Sequence, residues 1–227
     1  MFAQFDKIFT LENMIFLGKG ALLSIGIAAI SLLVGLVLGV IAYLGKSSSK
    51  SIFRWLANIY IEVIRGTPML LQIMVLFTVV PAAYTAMTGG ILRINPILIG
   101  VIAMSINSGA YSGELIRSGI NGVDKGQWEA CETLGLSHWQ MMKLIILPQA
   151  FKRIVPPIIS EFITLIKDSS LISTIGAYEL LNSAQILGVT YFDAATPYLM
   201  AIIYYLIMTI GISYIGKKIE GKLAVSD

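Results

Sequence analysis

The chain has 227 residues, of which 56% are hydrophobic and 13% are charged, with a net charge of +3. The charged share is far below the roughly 25% of ordinary soluble domains, which argues against a soluble protein. One cysteine and one histidine exclude a disulfide framework and a multi-cysteine metal site. The length is that of a single domain, residues 1–227.

Four stretches carry no charged residue: residues 20–45, 66–92, 94–113 and 194–216. A hydrocarbon core about 30 Å thick needs about 20 apolar residues of helix, and each stretch is long enough. The first stretch is too long for a signal-peptide core and lacks a small-residue cleavage site behind it. We therefore predict an all-α polytopic membrane protein.

Five transmembrane helices are predicted, at about residues 18–44, 53–80, 95–117, 150–168 and 195–216. Cytoplasmic loops are enriched in Lys and Arg. Basic residues cluster after the first, third and fifth spans, at Lys46, Lys50, Arg54, Arg117, Lys125, Lys143, Lys152, Arg153, Lys217, Lys218 and Lys222. This distribution predicts the N-terminus outside and the C-terminus in the cytoplasm.

The second span contains Pro68, which is expected to kink it and to act as a hinge. Two acid–base pairs have i,i+3 spacing, which suits ion pairs on a helix. Glu114 with Arg117 is predicted to be a helix-end ion pair. Glu62 with Arg65 is predicted to be structural or to gate the pathway.

A polar segment, residues 127–142, separates the third and fourth spans. It is predicted to form a short amphipathic helix and a second helical turn, with Asp124 as the N-cap, Gln127 completing the capping pattern and Gly135 as a break. Glu129, Glu132 and Lys143 are expected to face water, and the residues expected to pack are Ala130, Leu134, Leu136 and Trp139. From the residues alone, a solvated linker helix and a docking element are equally supported.

Resemblance to a known family favours docking. Residues 129–135, with Leu147 and Pro148 following twelve residues past the glycine, resemble the EAA-type cytoplasmic loop of ABC importer permeases. The chain departs at Cys131, where the family usually has alanine, another small residue. Residues 62–72, 105–111, 116–120 and 167–171 are similar to the polar amino acid permeases of that superfamily, and the resemblance covers about residues 20–217.

This resemblance implies a permease subunit of a polar amino acid importer, with the type I importer fold, in the bacterial cell membrane. It implies that the segment is a coupling helix seated in an ATPase cleft, through Glu129, Ala130, Leu134, Gly135 and Leu136. The expected partners are cytoplasmic ATP-binding cassette subunits, a second permease copy in a homo- or heterodimer, and an extracytoplasmic amino acid-binding protein.

The chain lacks the G-x-x-x-x-G-K-[ST] loop that cradles nucleotide phosphates, since Gly18, Lys19 and Gly20 have the wrong spacing. We therefore expect ATP and Mg²⁺ to be used by the partner ATPase. This chain is expected to bind no cofactor or metal and not to be an enzyme.

The fourth span is unusually short between its charges. Only 13 residues separate Arg153 from Lys167, which is about 20 Å of helix. Either the basic side chains at its start snorkel to the interface, or the helix breaks near residues 168–170. Transporter sites are commonly built from such discontinuous helices near the midplane.

Five residues are predicted to bind substrate: Glu161, Asn107, Ser108, Tyr111 and Asp168. Ionisable groups at membrane depth are costly and usually face a cavity or a partner. Glu161 can hold an ammonium group by a charge-assisted hydrogen bond, and Asn107 and Ser108 can satisfy a carboxylate. The alternative is that these groups only hold helices together.

Two other function classes stay open from the residues alone. An ion-driven secondary amino acid transporter or channel would also use intramembrane carboxylates. A membrane scaffold without transport would also present a cytoplasmic docking helix, and it predicts that Glu161 and Asn107 tolerate apolar replacements.

Overall fold

The computed structural model describes residues 5–224, so residues 1–4 and 225–227 of the predicted domain lie outside the described residues. Within this range the chain is all-helical, as predicted. The α-helices are α1 Phe5–Ile8, α2 Leu11–Lys46, α3 Ser51–Arg65, α4 Met69–Thr88, α5 Pro96–Asn121, α6 Lys125–Thr133, α7 His138–Met141, α8 Leu147–Asp168, α9 Leu180–Thr190 and α10 Ala195–Ala224. A π-helical segment, Met142–Ile146, precedes α8, and a 3₁₀ segment, Ser169–Ile175, follows it.

The longest helix, α2, packs against α5 through small residues. A Cβ atom added to Gly35 would lie 2.8 Å from Cβ of Ser108, and one added to Gly39 would lie 2.6 Å from Cβ of Ser112. Small residues let two helix backbones approach closely, which is how helices associate where lipid removes the hydrophobic driving force. This contact forms the centre of the bundle.

The second predicted span is not one continuous helix. It is interrupted at residues 66–68, between α3 and α4. Pro68 has no N–H to continue the α3 ladder, and it precedes the first residue of α4. The sequence predicted a kink here, whereas the chain makes a full break, and α4 then continues to Thr88.

The fourth predicted span corresponds to α8, with Pro148 in its first turn. The π-helical segment Met142–Ile146 runs directly into this turn, and the N–H of Leu147 still donates to the carbonyl of Met142. The helix ends at Asp168 and tightens into the 3₁₀ segment, which closes at Gly176 with φ of 78°. The predicted break near residues 168–170 is therefore present.

A buried carboxylate fastens α9 to the long helices. Glu179 is fully buried and caps α9 by accepting hydrogen bonds from the N–H groups of Leu181 (2.9 Å) and Asn182 (2.6 Å). The hydroxyls of Ser24 and Tyr205 also donate to its carboxylate, at 3.3 and 3.1 Å. Burial raises the pKa of Glu179, and these hydrogen bonds offset the rise only in part.

Three of the described helices are long and apolar enough to cross a membrane: Leu11–Lys46, Met69–Thr88 and Ala195–Leu223. The other two predicted spans fall on α5 and α8, which have 26 and 22 residues. These two helices carry the polar groups of the candidate site, which lowers their mean hydropathy.

Candidate functional site

The five predicted substrate residues divide between two helices that pack against each other. Asn107, Ser108 and Tyr111 lie on α5, and Glu161 and Asp168 lie on α8. Asn107 and Ser108 are buried, Glu161 and Asp168 are partly buried, and Tyr111 is 37% exposed. The set therefore runs from the helix contact towards the surface of the chain.

Glu161 is the central charged group of this set. Its carboxyl lies close enough to the Ser108 side chain and to the Asp168 charge to interact with both. The Ser108 hydroxyl is fully buried, and within residues 5–224 no group meets the criteria for a hydrogen bond to it. The Ser108 side chain packs against Gly35 of α2, and Glu161 is the charged group beside it.

A second polar link joins α5 to the break between α3 and α4. The Asn107 amide nitrogen donates to the Gln72 side-chain oxygen at 3.1 Å. The Gln72 nitrogen donates to the carbonyl oxygens of Ile64 at 2.8 Å and Thr67 at 3.1 Å. Ile64 lies in the last turn of α3, where carbonyl oxygens have no intrahelical partners, and Thr67 lies in the break itself. Asn107 is therefore connected to the interruption of the second span.

Gln72 is not among the residues predicted to bind substrate. The sequence does distinguish Gln72, because it is the one amide side chain in the largely apolar α4. What could not be read from the sequence was that Asn107, 35 residues away, is its partner.

Arg65 ends α3 beside the same site. Its guanidinium carbon lies 5.1 Å from the centroid of the Tyr111 ring, a cation–π geometry. The predicted pairing of Arg65 with Glu62 is wrong, because no ion pair between them occurs among the described residues. The helix ends at Arg65, whose side chain turns to α5 instead.

Glu114 lies outside this polar set. It pairs with Lys46 of α2 at 2.6 Å and with Arg117 at 2.9 Å. The predicted helix-end pair of Glu114 and Arg117 is confirmed, and Lys46 adds a connection to the end of α2. The charge of Glu114 is therefore paired within the chain, whereas Glu161 forms no ion pair with a base among residues 5–224.

Residues 124–146, named here the coupling segment, form two short helices and the π-helical segment. Asp124 caps α6 by accepting from the N–H of Gly126 at 2.8 Å, and Gly135 breaks the helix with φ of 68°. Both features were predicted. The reciprocal capping box, predicted for Asp124 and Gln127, occurs instead at Ser137 and Gln140.

One face of the coupling segment packs on the bundle and the other is exposed. Cys131 and Met141 are buried, in a cluster that includes Ile146 and Ile154. Leu134 and Trp139 are 76% and 70% exposed. The chain turns at Gly135, and Leu134 before the turn and Trp139 after it are left uncovered by the bundle.

The packing predictions for this segment were therefore wrong in part. Ala130, Leu134 and Trp139 are exposed, whereas Leu136 is partly buried against the cluster as expected. Glu129, Glu132 and Lys143 are exposed, which confirms that they face water. The segment thus carries large apolar side chains that the chain itself does not cover.

Comparison with known proteins gives consistent matches over nearly the whole chain. Residues 35–225 match the family described as binding-protein-dependent transport system inner membrane component. The chain is 37% identical to the arginine transport system permease protein ArtQ of Bacillus subtilis (strain 168), over 96% of this chain and 97% of the relative. It is 35% identical to the glutamine transport system permease protein GlnP of Escherichia coli (strain K12), over 91% and 92% of the two chains.

Solved structures give the same result. A crystal structure of an amino acid ABC transporter with histidines aligns with a TM-score of 0.84 at 33% identity, covering 91% of this chain and 94% of that chain. An inward-facing conformation of the MetNI methionine ABC transporter aligns with a TM-score of 0.76 at 16% identity, over 94% and 99% of the two chains. The second match concerns the fold alone.

Proposed function

The chain belongs to the family of inner membrane components of binding-protein-dependent transport systems and is a membrane-spanning permease subunit of an amino acid ABC importer, and on this premise we propose that the polar groups between α5 and α8 contact the transported amino acid. The observation that carries the proposal is Glu161, a partly buried carboxylate in the contact between α5 and α8 that forms no ion pair with a base in the described part of the chain. The protein is a transport subunit of the bacterial cell membrane and not an enzyme.

Relatives of this chain are named for the transport of arginine, glutamine and cystine. These compounds share an α-ammonium and an α-carboxylate, and all are polar. Glu161 would hold the ammonium by a charge-assisted hydrogen bond. The Asn107 amide and the Ser108 hydroxyl would meet the carboxylate, and Tyr111 and Asp168 would border the same path.

The path requires a second permease subunit, either another copy of this chain or a sister chain. Five crossing helices enclose little space alone, and transporter pathways usually run between two repeats or bundles. We therefore place the site at the interface of two permease subunits, each crossing the membrane five times, with the N-terminus outside and the C-terminus in the cytoplasm. The break at residues 66–68, tied to Asn107 through Gln72, is a hinge for the change of access.

Energy would enter through the coupling segment. Leu134 and Trp139 are exposed on the two sides of the turn at Gly135. A few side chains that become buried when two proteins bind contribute most of the binding energy. Each permease would seat this surface, with Glu129, Ala130 and Leu136 around it, in a cytoplasmic ATPase subunit that binds ATP and Mg²⁺. An extracytoplasmic binding protein would deliver the amino acid to the outer face.

The substrate site is tested by replacing Glu161 with glutamine in the reconstituted transporter. Loss of a charged hydrogen-bond partner costs about 1.5–3 kcal/mol, so amino acid affinity should fall by about tenfold to a hundredfold. Glu12→Gln is the matched control, because Glu12 is an exposed carboxylate in the first turn of α2, outside the site. Unchanged affinity and substrate preference in Glu161→Gln would remove this residue from the path.

The energy source is tested separately, in proteoliposomes. Uptake should require the partner ATPase subunits and ATP. The ATP should be needed only on the side of the vesicle membrane that the coupling segment faces. Uptake by the purified chain alone, driven only by an ion gradient, would instead identify a secondary transporter.

A further inference from the structure

A groove of about 510 Å³ lies between α2, α3 and α5, away from the polar site. Its walls include Ile41 and Gly45 of α2, Phe53 and Leu56 of α3, and Ile106 of α5. The volume is within the range of small-ligand sites, about 300–1,000 Å³. The groove opens to the outside of the bundle.

The walls of this groove select an apolar occupant. Tyr60 is the one polar side chain among the described lining residues, and its hydroxyl donates to the carbonyl oxygen of Ile106 at 2.6 Å. That hydrogen is therefore committed within the chain. An amino acid would bury its charged groups here without partners, at a cost of several kcal/mol, so the groove is not part of the substrate path.

The rim of the groove is positively charged. The Lys50 ammonium lies 5.9 Å from the ring centroid of Phe53, which lines the groove. Arg54 donates to the carbonyl oxygens of Ser48 and Ser49, both at 2.8 Å. Neither basic group forms an ion pair with a carboxylate in the described part of the chain. The Lys50 charge is thus available to an anion at the mouth of the apolar groove. Arg54, one helical turn further on, also donates to the Ser51 hydroxyl at 3.1 Å and adds a second positive charge at this end of α3.

A tryptophan next to this rim indicates how deep the rim lies in the membrane. Trp55 follows Arg54 and is 59% exposed. Tryptophan is enriched at the level of the lipid headgroups, and the loop at residues 47–50 is predicted to be cytoplasmic. Anionic lipids of the cytoplasmic leaflet attract basic segments next to transmembrane helices, and basic pockets between such helices bind lipid headgroups.

We propose that this groove binds one anionic phospholipid, with an acyl chain between α2 and α3 and the phosphate at Lys50 and Arg54. Charge complementarity selects this occupant over a zwitterionic lipid, and the apolar walls select it over free phosphate. The site is independent of the substrate path, since Ile106 is turned to the groove while Asn107, its neighbour in sequence, is bonded to Gln72.

The test is native mass spectrometry of the purified full-length chain, titrated with dioleoyl phosphatidylglycerol or dioleoyl phosphatidylcholine. The wild-type chain should retain phosphatidylglycerol more strongly. One basic residue near the surface contributes about 1 kcal/mol towards anionic lipid, or about fivefold. Lys50→Gln should therefore lower the preference for phosphatidylglycerol by about that factor, with no effect on phosphatidylcholine.

Lys218→Gln is the matched control. Lys218 is also basic, also predicted to be cytoplasmic and also stacked on an aromatic ring, with 4.5 Å to the Tyr214 centroid, but Tyr214 does not line the groove. An equal loss in both variants would mean general surface attraction and would overturn the proposal. Equal retention of the two lipids by the wild-type chain would overturn it as well.

The groove itself is tested by filling it. Leu56→Trp should weaken retention of both lipids, and Leu56 is 51% exposed, so the change leaves the core intact. Ile41→Trp fills the groove from the opposite wall, where the side chain is 60% exposed, and should have the same effect. Unaltered binding in both variants would place the lipid elsewhere.

Discussion

The α2–α5 contact is buried within the chain, whereas the coupling segment leaves one face exposed. The two regions are built from different residues. The first is closed, and small residues such as Gly35 and Gly39 bring two helices together until no further atom fits. The second is half open, with Cys131 buried on one side and Leu134 exposed on the other. An interface made within the chain uses backbone proximity, whereas a surface meant for a partner keeps large apolar side chains uncovered.

The closed contact should be the most sensitive to added volume. We expect Gly39→Leu to destabilise the chain by about 3 kcal/mol or more, since overpacking costs about 1–3 kcal/mol even where side chains can adjust. Here the added Cβ would also lie 2.9 Å from the backbone nitrogen of Gly113. The thermal unfolding midpoint in detergent measures this loss.

Gly26→Leu is the control on the same helix, because a Cβ there meets nothing within 4 Å. It should leave the midpoint nearly unchanged. If both variants unfold alike, the distinction between a closed and an open side of α2 fails.

The open surface should tolerate a charge without loss of the fold. Leu134→Asp is expected to weaken binding of the partner ATPase by about 2 kcal/mol, or about thirtyfold, because a central apolar anchor is lost. The unfolding midpoint should stay unchanged, because Leu134 is 76% exposed. Co-purification and ATPase stimulation report the binding.

Val189→Asp is the matched control for that experiment. Val189 is 75% exposed, at the end of α9 on the predicted outer side. It should leave ATPase binding intact. Full binding by Leu134→Asp would show that this surface has another use.

The carboxylate of Glu179 at the start of α9 is a polar group that is buried within the chain, unlike the exposed coupling surface. Burial raises the pKa of Glu179 in the folded chain, so the folded state holds its proton more tightly than the unfolded state does. Stability should then fall as pH rises from the ordinary carboxyl pKa to the raised one. Glu179→Gln should remove this part of the pH dependence of the midpoint.

Exposed Glu129 provides the comparison, and Glu129→Gln should keep the wild-type pH dependence. The wild-type unfolding midpoint could instead rise with pH over this window, with the rise lost in Glu179→Gln. That result would mean that folding lowers the pKa of Glu179.

The smallest effect concerns the single cysteine. Cys131 is 3% exposed, so the folded chain should resist a maleimide that labels it after denaturation. With Cys131 replaced by alanine, a cysteine substituted for Leu134 should react quickly and be protected when the ATPase binds. Rapid labelling of native Cys131 would contradict the buried face of the coupling segment.

The sequence by itself determined the all-α membrane class and the turn at Gly135, and it offered a break near residues 168–170 as one of two alternatives. Each rests on a local cause: uncharged runs of sufficient length, the short distance between Arg153 and Lys167, and glycine's access to positive φ. The similarity of residues 129–135 to a coupling loop was also local. These features need no knowledge of which helices are neighbours.

Only the tertiary structure decided how the polar residues are paired. Arg65 stacks on Tyr111 rather than meeting Glu62, and Asn107 binds Gln72 across 35 residues. The same holds for which face of the coupling segment is covered, because Cys131 is buried by side chains from α5 and α8. Such choices depend on contacts between distant segments, and a helical repeat fixes the spacing of side chains without fixing what lies opposite them.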